Sequence, residues 1–316
     1  MRKKTHLAEI ILKSHNPLAG GVFRQSGNDY HELIPSIAGD ELILAERFTQ
    51  YRRHFLDDLV PGHQAGAVGA DDETSDLDDL SEWMTGTFSS AASPGVVSIF
   101  FGNEHYATDE EYVFAIAEAM RHEYEAIAAA GATVQLDCPD LAMGRHTAYA
   151  DLSLDDYRKK VEMNIEALNH GVRNIPAEQV RMHLCWGNYP GPHHCDVALA
   201  EIIDIVWKAK PQTVLFEAAN PRHAHEWTLF ESVKVPDDKV LCPGVIEPQS
   251  NWIEHPELVA QRIERYAKLV GAERVMAGVD CGFSIHVGMQ GIDPDVAWAK
   301  LASLAQGAEI ASERLF

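Results

Sequence analysis

The sequence predicts an α/β protein with parallel strands, a (β/α)₈ TIM barrel. Three features favour this fold. Short apolar runs alternate with helical patterns from about residue 86 onward, which is typical of a parallel sheet covered by helices. Ligand-type polar residues follow successive runs at their carboxyl ends, where the active sites of such barrels lie. The chain also contains no GxGxxG or Walker motif that would favour a nucleotide-binding open sheet.

Each element follows from its periodicity. The apolar runs that predict strands are Val96–Phe101, Thr133–Leu136, Val180–Leu184, Thr213–Phe216, Val240–Leu241 with Val245-Ile246, and Arg274–Val279. Apolar residues three or four positions apart predict the helices Asp109–Ala130, Ser153–Asn169, Asp196–Ala209, His255–Val270 and Pro294–Ser312. The sequence thus predicts six βα units after residue 86.

The first part of the chain has a different texture. His6–Lys13 predicts a short strand and Gly39–Leu59 a helix, whereas residues 61–84 are rich in glycine and acidic residues and predict a solvated linker. We therefore expect two parts: an atypical N-terminal segment, 1–85, with an acidic linker, and a catalytic barrel, 86–316. The first strands of the barrel are expected to be atypical or incomplete.

Composition limits the possible partners and compartment. The formal net charge of −22 over 316 residues disfavours binding to nucleic acid or to anionic lipid. No apolar stretch approaches the ~20 residues that span a bilayer, so no membrane association is expected. Five cysteines in a chain of this length indicate free or metal-bound thiols in a reducing cytoplasm. The sequence leaves a homo-oligomer open.

Polar residues recur at one end of the predicted strands, about 30 to 46 residues apart. They are Asp137, His183, Glu217, Glu247 and Cys281. In a barrel these positions converge on one mouth, whereas in an open sheet only those at the switch point would meet. The spacing predicts one shared site.

Four residues at these strand ends have the chemistry of zinc ligands: His183, Cys185, Glu217 and Cys281. His183 and Cys185 are two residues apart and point to the same face of a strand. The alternative is that the cysteines are small buried hydrophobes and Glu217 part of an ion pair. Zinc held by two thiolates suits the binding of a further thiol as a nucleophile, so the predicted chemistry is alkyl transfer to sulfur.

Several motifs resemble the catalytic barrel of cobalamin-independent methionine synthase, in its short, single-barrel branch that also includes epoxyalkane:coenzyme M transferases. They are His183-Leu-Cys185, Glu217-Ala-Ala-Asn-Pro-Arg-His223, Cys242-Pro-Gly-Val-Ile246, Val279-Asp-Cys281-Gly-Phe and Val134-Gln-Leu-Asp137-Cys-Pro139. The resemblance covers about residues 86–316. It implies that His183, Cys185, Glu217 and Cys281 bind Zn²⁺ and that Asp137 holds the amino group of homocysteine. The implied reaction moves a methyl group from 5-methyltetrahydrofolate (polyglutamate) to the zinc-bound thiolate of homocysteine and forms methionine.

The sequence departs from the family pattern in two places. Gln249 stands where the family has a histidine that assists methyl transfer, so this role is vacant or passes to Glu247 or His255. The first-strand motif that binds the amino acid is not recognisable.

Further candidates for substrate binding surround the predicted ligands. Arg222 is suited to a carboxylate, a sulfonate or a folate tail, or to a structural ion pair, and Trp186 either stacks on a substrate or excludes water. Ser93 begins a turn whose backbone N–H groups suit an anion, and Asn188 ends the His183 motif.

Two other functions remain open at this stage. A zinc-dependent transferase that opens epoxides with coenzyme M or a similar thiol is the first, and the lack of the family histidine favours it. An inactive barrel with a binding role is the second. In the enzyme readings the partners are a small-molecule thiol and a methyl or alkyl donor.

Overall fold

A computed structural model of the chain describes residues 88–284 and 291–316. The predicted strand His6–Lys13, the predicted helix Gly39–Leu59 and the acidic linker lie outside the described residues. The N-terminal segment 1–85 therefore stays a prediction.

Six parallel strands form one sheet. They are β1 (Phe88–Ala92), β2 (Thr133–Cys138), β3 (Val180–Leu184), β4 (Thr213–Phe216), β5 (Val240–Ile246) and β6 (Gly278–Val279). Each strand pairs with its sequence neighbour, in the order β1 to β6. This sequential order is that of a β/α barrel, since an open doubly wound sheet reverses its order at a switch point. The predicted parallel α/β architecture is confirmed, and the described residues supply a curled sheet of six strands.

The residues that the structure describes also form six α-helices. They are α1 (Pro94–Phe100), α2 (Asp109–Ala129), α3 (Leu154–Gly171), α4 (Ile203–Val206), α5 (Pro256–Val270) and α6 (Pro294–Leu315). The long helices begin at residues whose side chains accept hydrogen bonds from backbone N–H groups, as Thr108 does for α2 and Ser153 for α3. The predicted helices that became α2, α3, α5 and α6 are confirmed within a few residues. None of the described helices is long and apolar enough to cross a membrane.

The prediction of a strand over Val96–Phe101 is wrong. Residues Pro94–Phe100 form helix α1, and the strand of this unit is β1. Ser93 accepts a hydrogen bond from the Val96 backbone N–H at 3.1 Å, and Pro94 occupies the first helical turn. This cap and the proline favour a helix start strongly enough to outweigh the strand preference of the valines.

Two other elements are shorter than predicted. The expected helix Asp196–Ala209 is a 3₁₀ turn, Leu199–Glu201, followed by the single turn α4. The expected strand Arg274–Val279 is regular only at β6, and Val275 makes one isolated bridge to Leu241. The strand starts later than expected because Arg274 closes a 3₁₀ turn.

The core lies between the sheet and the helices. Every residue of β3 is buried, and on β2 buried and half-buried residues alternate. Val134, Leu136 and Leu184 have no solvent exposure, and each such side chain contributes about 1.5–3 kcal/mol on burial. This packing holds the carboxyl ends of the strands in register with one another.

Candidate metal centre

Three strand ends carry the sulfur, nitrogen and oxygen donors of the site. His183 lies in β3 and Cys185 follows that strand, Glu217 follows β4, and Cys281 lies two residues beyond β6. All four residues are buried, with at most 8% of their surface exposed. His183 and Cys185 share a face because side chains alternate along an extended chain.

The donor atoms are spaced for a single ion. The Sγ atoms of Cys185 and Cys281 are 3.3 Å apart, and Cys281 Sγ lies 3.7 Å from His183 Nε2. The ligand atoms of these three residues all lie within 4.8 Å of one another. Glu217 Oε1 is 4.0 Å from Cys281 Sγ. Two sulfurs bound tetrahedrally to zinc at ~2.3 Å would lie about 3.8 Å apart, so the two sulfurs would have to separate by about 0.5 Å. His183 Nε2, now 2.8 Å from the Asp280 carbonyl oxygen, would have to turn to the ion. With these small shifts the donor set suits zinc.

The Cys281 thiol is hard to ionise without a nearby cation. The neighbouring Cys185 sulfur and burial raise the pKa of Cys281 well above its usual value. Cys185 Sγ accepts a hydrogen bond from the Gly187 N–H at 3.2 Å. A divalent cation would remove the repulsion between two thiolates.

Asp137 orients the imidazole of His183. Its Oδ1 lies 2.8 Å from His183 Nδ1, and the two residues are partners in the pairing of β2 with β3. Burial alone would lower the pKa of His183, but the hydrogen bond to Asp137 and the charges around the ring raise it to about 10. A carboxylate bonded to the ring nitrogen that does not bind the ion is typical of histidines that bind metals.

Glu217 is held by three donors. Its Oε1 accepts from the Trp186 backbone N–H at 2.9 Å, and its Oε2 accepts from Asn220 Nδ2 at 2.7 Å and from Arg222 Nη2 at 2.8 Å. Of the two roles the sequence left open for Arg222, the structure therefore contains the ion pair.

Asp280 is a site residue that sequence reasoning missed. Its side chain accepts four hydrogen bonds, from the backbone N–H groups of residues 218, 219 and 220 and from the Asn220 amide, all at 2.8–2.9 Å. These bonds fix the turn after Glu217 against the residue before Cys281. The only sequence signal was its position beside a predicted ligand.

Two of the predicted substrate-binding residues, Trp186 and Ser93, make their contacts with other residues of the protein. The Trp186 ring is fully buried, its Nε1 donates to the Val197 carbonyl at 2.7 Å, and it packs against His223 with centroids 4.1 Å apart. Ser93 is 1% exposed and donates to Asp140 Oδ1 at 2.6 Å while it caps α1.

Asn188 links three strand ends. Its Nδ2 donates to the Gly282 carbonyl at 2.7 Å, and its Oδ1 accepts from Gln249 Nε2 at 2.8 Å. Asn188 and Gln249 thus connect the loops after β3, β5 and β6, directly beside Cys281.

The predicted catalytic residues lie along the segment after β5. Glu247 accepts from the backbone N–H groups of Gln249 and Ser250, both at 2.7 Å. His255 is exposed and caps α5 by accepting from the Glu257 N–H at 3.1 Å. These contacts shape the segment and the start of α5.

The fold and site define a class: a parallel β/α protein with a buried group of sulfur and nitrogen donors at the carboxyl ends of its strands. A family model described as "Cobalamin-independent synthase, Catalytic domain" matches residues 103–293. Since this is more than half of the chain, the chain belongs to that family.

Named relatives agree with this membership. The chain is 26% identical over 223 residues to a methionine synthase of Thermococcus kodakarensis, which covers 70% of this chain and 56% of the relative. It is 26% identical over 227 residues to a methionine synthase of Saccharolobus solfataricus, with 70% and 57% covered. The chain thus spans little more than half the length of these relatives.

A solved structure has a similar fold. It is a B12-independent methionine synthase from Shewanella sp. W3-18-1 in complex with selenomethionine, with a TM-score of 0.59 and 19% identity. The match covers 80% of this chain and 69% of that one.

Proposed function

We propose that His183, Cys185, Cys281 and Glu217 bind Zn²⁺. The spacing of their donor atoms supports this set, as does the carboxylate behind His183. When bound, zinc would supply the positive charge that keeps an incoming thiol deprotonated near neutral pH.

We further propose that the protein transfers a methyl group from 5-methyltetrahydrofolate, or its polyglutamate, to homocysteine. The bond between the folate nitrogen and the methyl carbon breaks, a bond from sulfur to that carbon forms, and the nitrogen takes up a proton. The products are methionine and tetrahydrofolate. The names of the relatives support this substrate pair.

A half-exposed carboxylate beside the thiol-binding donors carries this proposal. Asp137 keeps 49% of its side chain exposed although one oxygen is bonded to His183. Its negative charge suits the ammonium group of an amino acid whose thiol lies at Cys185 and Cys281. Homocysteine has both groups, whereas coenzyme M has no ammonium group.

The surrounding residues then divide into two kinds. Arg222, with 22% of its side chain exposed, holds Glu217 and can still face a substrate carboxylate. Asn188 lines the same mouth through its bonds to Gly282 and Gln249. Buried Trp186 and Ser93 position their neighbours rather than touch the substrate.

The proton for the folate nitrogen is assigned to Glu247 or His255, in the segment after β5.

We also propose that the six described strands belong to an eight-stranded barrel. All five cysteines are free, and we place the reaction in the reducing cytoplasm.

One observation favours the second candidate, epoxide opening with a coenzyme-M-like thiol. Gln249, at the position of the family histidine, donates to Asn188 and cannot titrate. Epoxide opening has no folate nitrogen to protonate, so it does not need the proton that the family histidine would deliver there.

The test is turnover with protein of measured zinc content. Homocysteine or coenzyme M is combined with 5-methyltetrahydrofolate, its triglutamate or epoxypropane, and products are identified by mass spectrometry. We expect methionine from homocysteine and a methyl-folate, abolished in Cys281→Ala and retained in Cys242→Ala, which removes a buried thiol outside the donor group. An epoxide adduct instead would reverse the two candidates. Zinc-loaded protein without any turnover would point to the binding role.

A further inference from the structure

A second group of donor atoms lies beside the loop after β3. His146 closes the 3₁₀ turn Met143–His146, and His193 and Asp196 lie in the loop after Asn188. One ligand atom from each of these three residues lies within 4.8 Å of the others. The group contains no sulfur, so its chemistry differs from that of the centre at Cys185 and Cys281.

The ring of His193 is oriented with one nitrogen directed into this group. Its Nε2 lies 3.1 Å from the Tyr189 carbonyl oxygen, which can only accept, so Nε2 carries a proton. Its Nδ1 faces Asp196, at 3.0 Å and 3.2 Å from the two carboxylate oxygens. A carbonyl that accepts from one ring N–H is a common support of metal-binding histidines, and here it leaves Nδ1 directed at the carboxylate with which it would share an ion.

His146 supplies an unpaired buried nitrogen. Its Nε2 is bonded to the Tyr189 hydroxyl at 2.9 Å, and 8% of its side chain is exposed. Its Nδ1 lies 2.9 Å from Asp196 Oδ1 but lacks the alignment of a hydrogen bond and has no other hydrogen-bond partner. Buried polar atoms are nearly always well paired, whereas this nitrogen has only a poorly aligned contact with the carboxylate among the described residues.

His223 holds the carboxylate from behind. Its Nε2 lies 3.1 Å from Asp196 Oδ2 and its Nδ1 lies 2.9 Å from Glu226 Oε2. The ring therefore bridges these two carboxylates, and His223 is not one of the three grouped donors. His223 therefore acts as an orienting group for Asp196.

We propose that His146 Nδ1, His193 Nδ1 and the Asp196 carboxylate form a binding site for a second divalent transition-metal ion. Two imidazoles and one carboxylate suit Zn²⁺ and its first-row neighbours better than Mg²⁺ or Ca²⁺, which prefer all-oxygen sites. Three protein ligands leave further coordination positions for water or a small ligand. One ion would engage both buried nitrogens and replace their contacts with the carboxylate.

The test counts metal in the 316-residue chain. Purified protein is stripped with chelator, reloaded with Zn²⁺ or Co²⁺, and measured by elemental analysis. We expect two equivalents in the wild type and one in Cys185→Ala/Cys281→Ala. Adding His146→Gln and His193→Gln to that variant should remove the remaining equivalent. Adding His194→Gln, an exposed histidine in the same loop, should leave it in place.

A spectroscopic measurement guards against loss by misfolding. Cobalt in Cys185→Ala/Cys281→Ala should show d–d absorption without sulfur charge-transfer bands, and zinc-edge absorption should show only nitrogen and oxygen neighbours. One equivalent in the reloaded wild type and none in the double-alanine variant, with wild-type circular dichroism, would overturn the proposal. The group would then be a hydrogen-bonded cluster only. This test does not measure methyl transfer. The proposed second metal site can therefore be refuted while the proposed reaction stands.

Discussion

Asp137 and His183 face each other across β2 and β3, with Asp137 Oδ1 2.8 Å from His183 Nδ1. The carboxylate fixes the ring whose other nitrogen lies 3.7 Å from Cys281 Sγ. It is also the group that we assign to the substrate ammonium.

Asp137→Asn separates these two roles. An amide is a weaker and uncharged acceptor, so we expect zinc affinity to fall by about 10–100-fold, as measured by competition with a chromogenic chelator. Asp151→Asn, at an exposed carboxyl, is the control and should bind zinc as the wild type does. Unchanged zinc affinity together with a raised KM for homocysteine would restrict Asp137 to substrate binding.

Glu217 and Arg222 should be strongly coupled in metal-free protein. Glu217 has 1% of its side chain exposed, so Arg222→Ala leaves a buried charge with one fewer partner and should cost about 2–4 kcal/mol of unfolding free energy. The same change in a Glu217→Gln background should cost much less. Urea unfolding of the four proteins gives the coupling energy, and additive effects would show that the ion pair does not hold the carboxylate.

Gly244 is required by the close approach of Asp280. A Cβ at position 244 would lie 2.0 Å from Asp280 Oδ1 and 2.6 Å from the Asp280 backbone nitrogen, so the backbone would have to shift. We expect Gly244→Ala to lower stability by more than about 3 kcal/mol and to weaken zinc binding, because Asp280 holds the turn after Glu217. At Gly102 an added Cβ would meet nothing within 4 Å, so Gly102→Ala is the matched control. Equal stability of the two variants would refute the packing described for Asp280.

Asp140 should make stability depend on pH. Burial raises the pKa of this carboxyl from 3.8 to about 6, against the opposing hydrogen bonds from Ser93 and Asn164. Between these two values the folded state binds more protons than the unfolded state. The contribution of Asp140 to stability is therefore fully present below pH 4 and is lost as pH rises through 6. The loss amounts to at most about 3 kcal/mol.

Asp140→Asn removes this titration. The Asn164 Oδ1 atom is buried without a partner, and a rotated Asn164 amide could accept from the new side-chain amide. The unfolding free energy of the variant relative to the wild type should therefore rise between pH 4.5 and 7, as measured by urea unfolding at each pH. Asp151→Asn should show no such trend, and a flat difference for Asp140→Asn would contradict the assignment.

The fold could be predicted largely because two periodicities alternate along the chain. Helices α2, α3, α5 and α6 have their own caps and apolar faces, so local sequence is enough to find them. The β-branched residues of Val96–Phe101 predict a strand, whereas the Ser93 cap and Pro94 decide for a helix.

The site could be predicted in part for a related reason. Parallel strand ends converge, so sequence position alone groups His183, Cys185 and Cys281. Asp280 acts through backbone groups of a turn about 60 residues away, and His146 meets Asp196 across 50 residues. Such contacts depend on how loops pack and leave no periodic signal.

Zinc-edge X-ray absorption tests the metal centre and its thiol most directly. Protein loaded with substoichiometric zinc should show two sulfur neighbours and two nitrogen or oxygen neighbours, and homocysteine should add a third sulfur. The Cys281→Ala variant should lose one sulfur, and Cys242→Ala should match the wild type. A shell without sulfur, or a wild-type spectrum that homocysteine leaves unchanged, would contradict the proposed thiol-binding zinc at His183, Cys185 and Cys281.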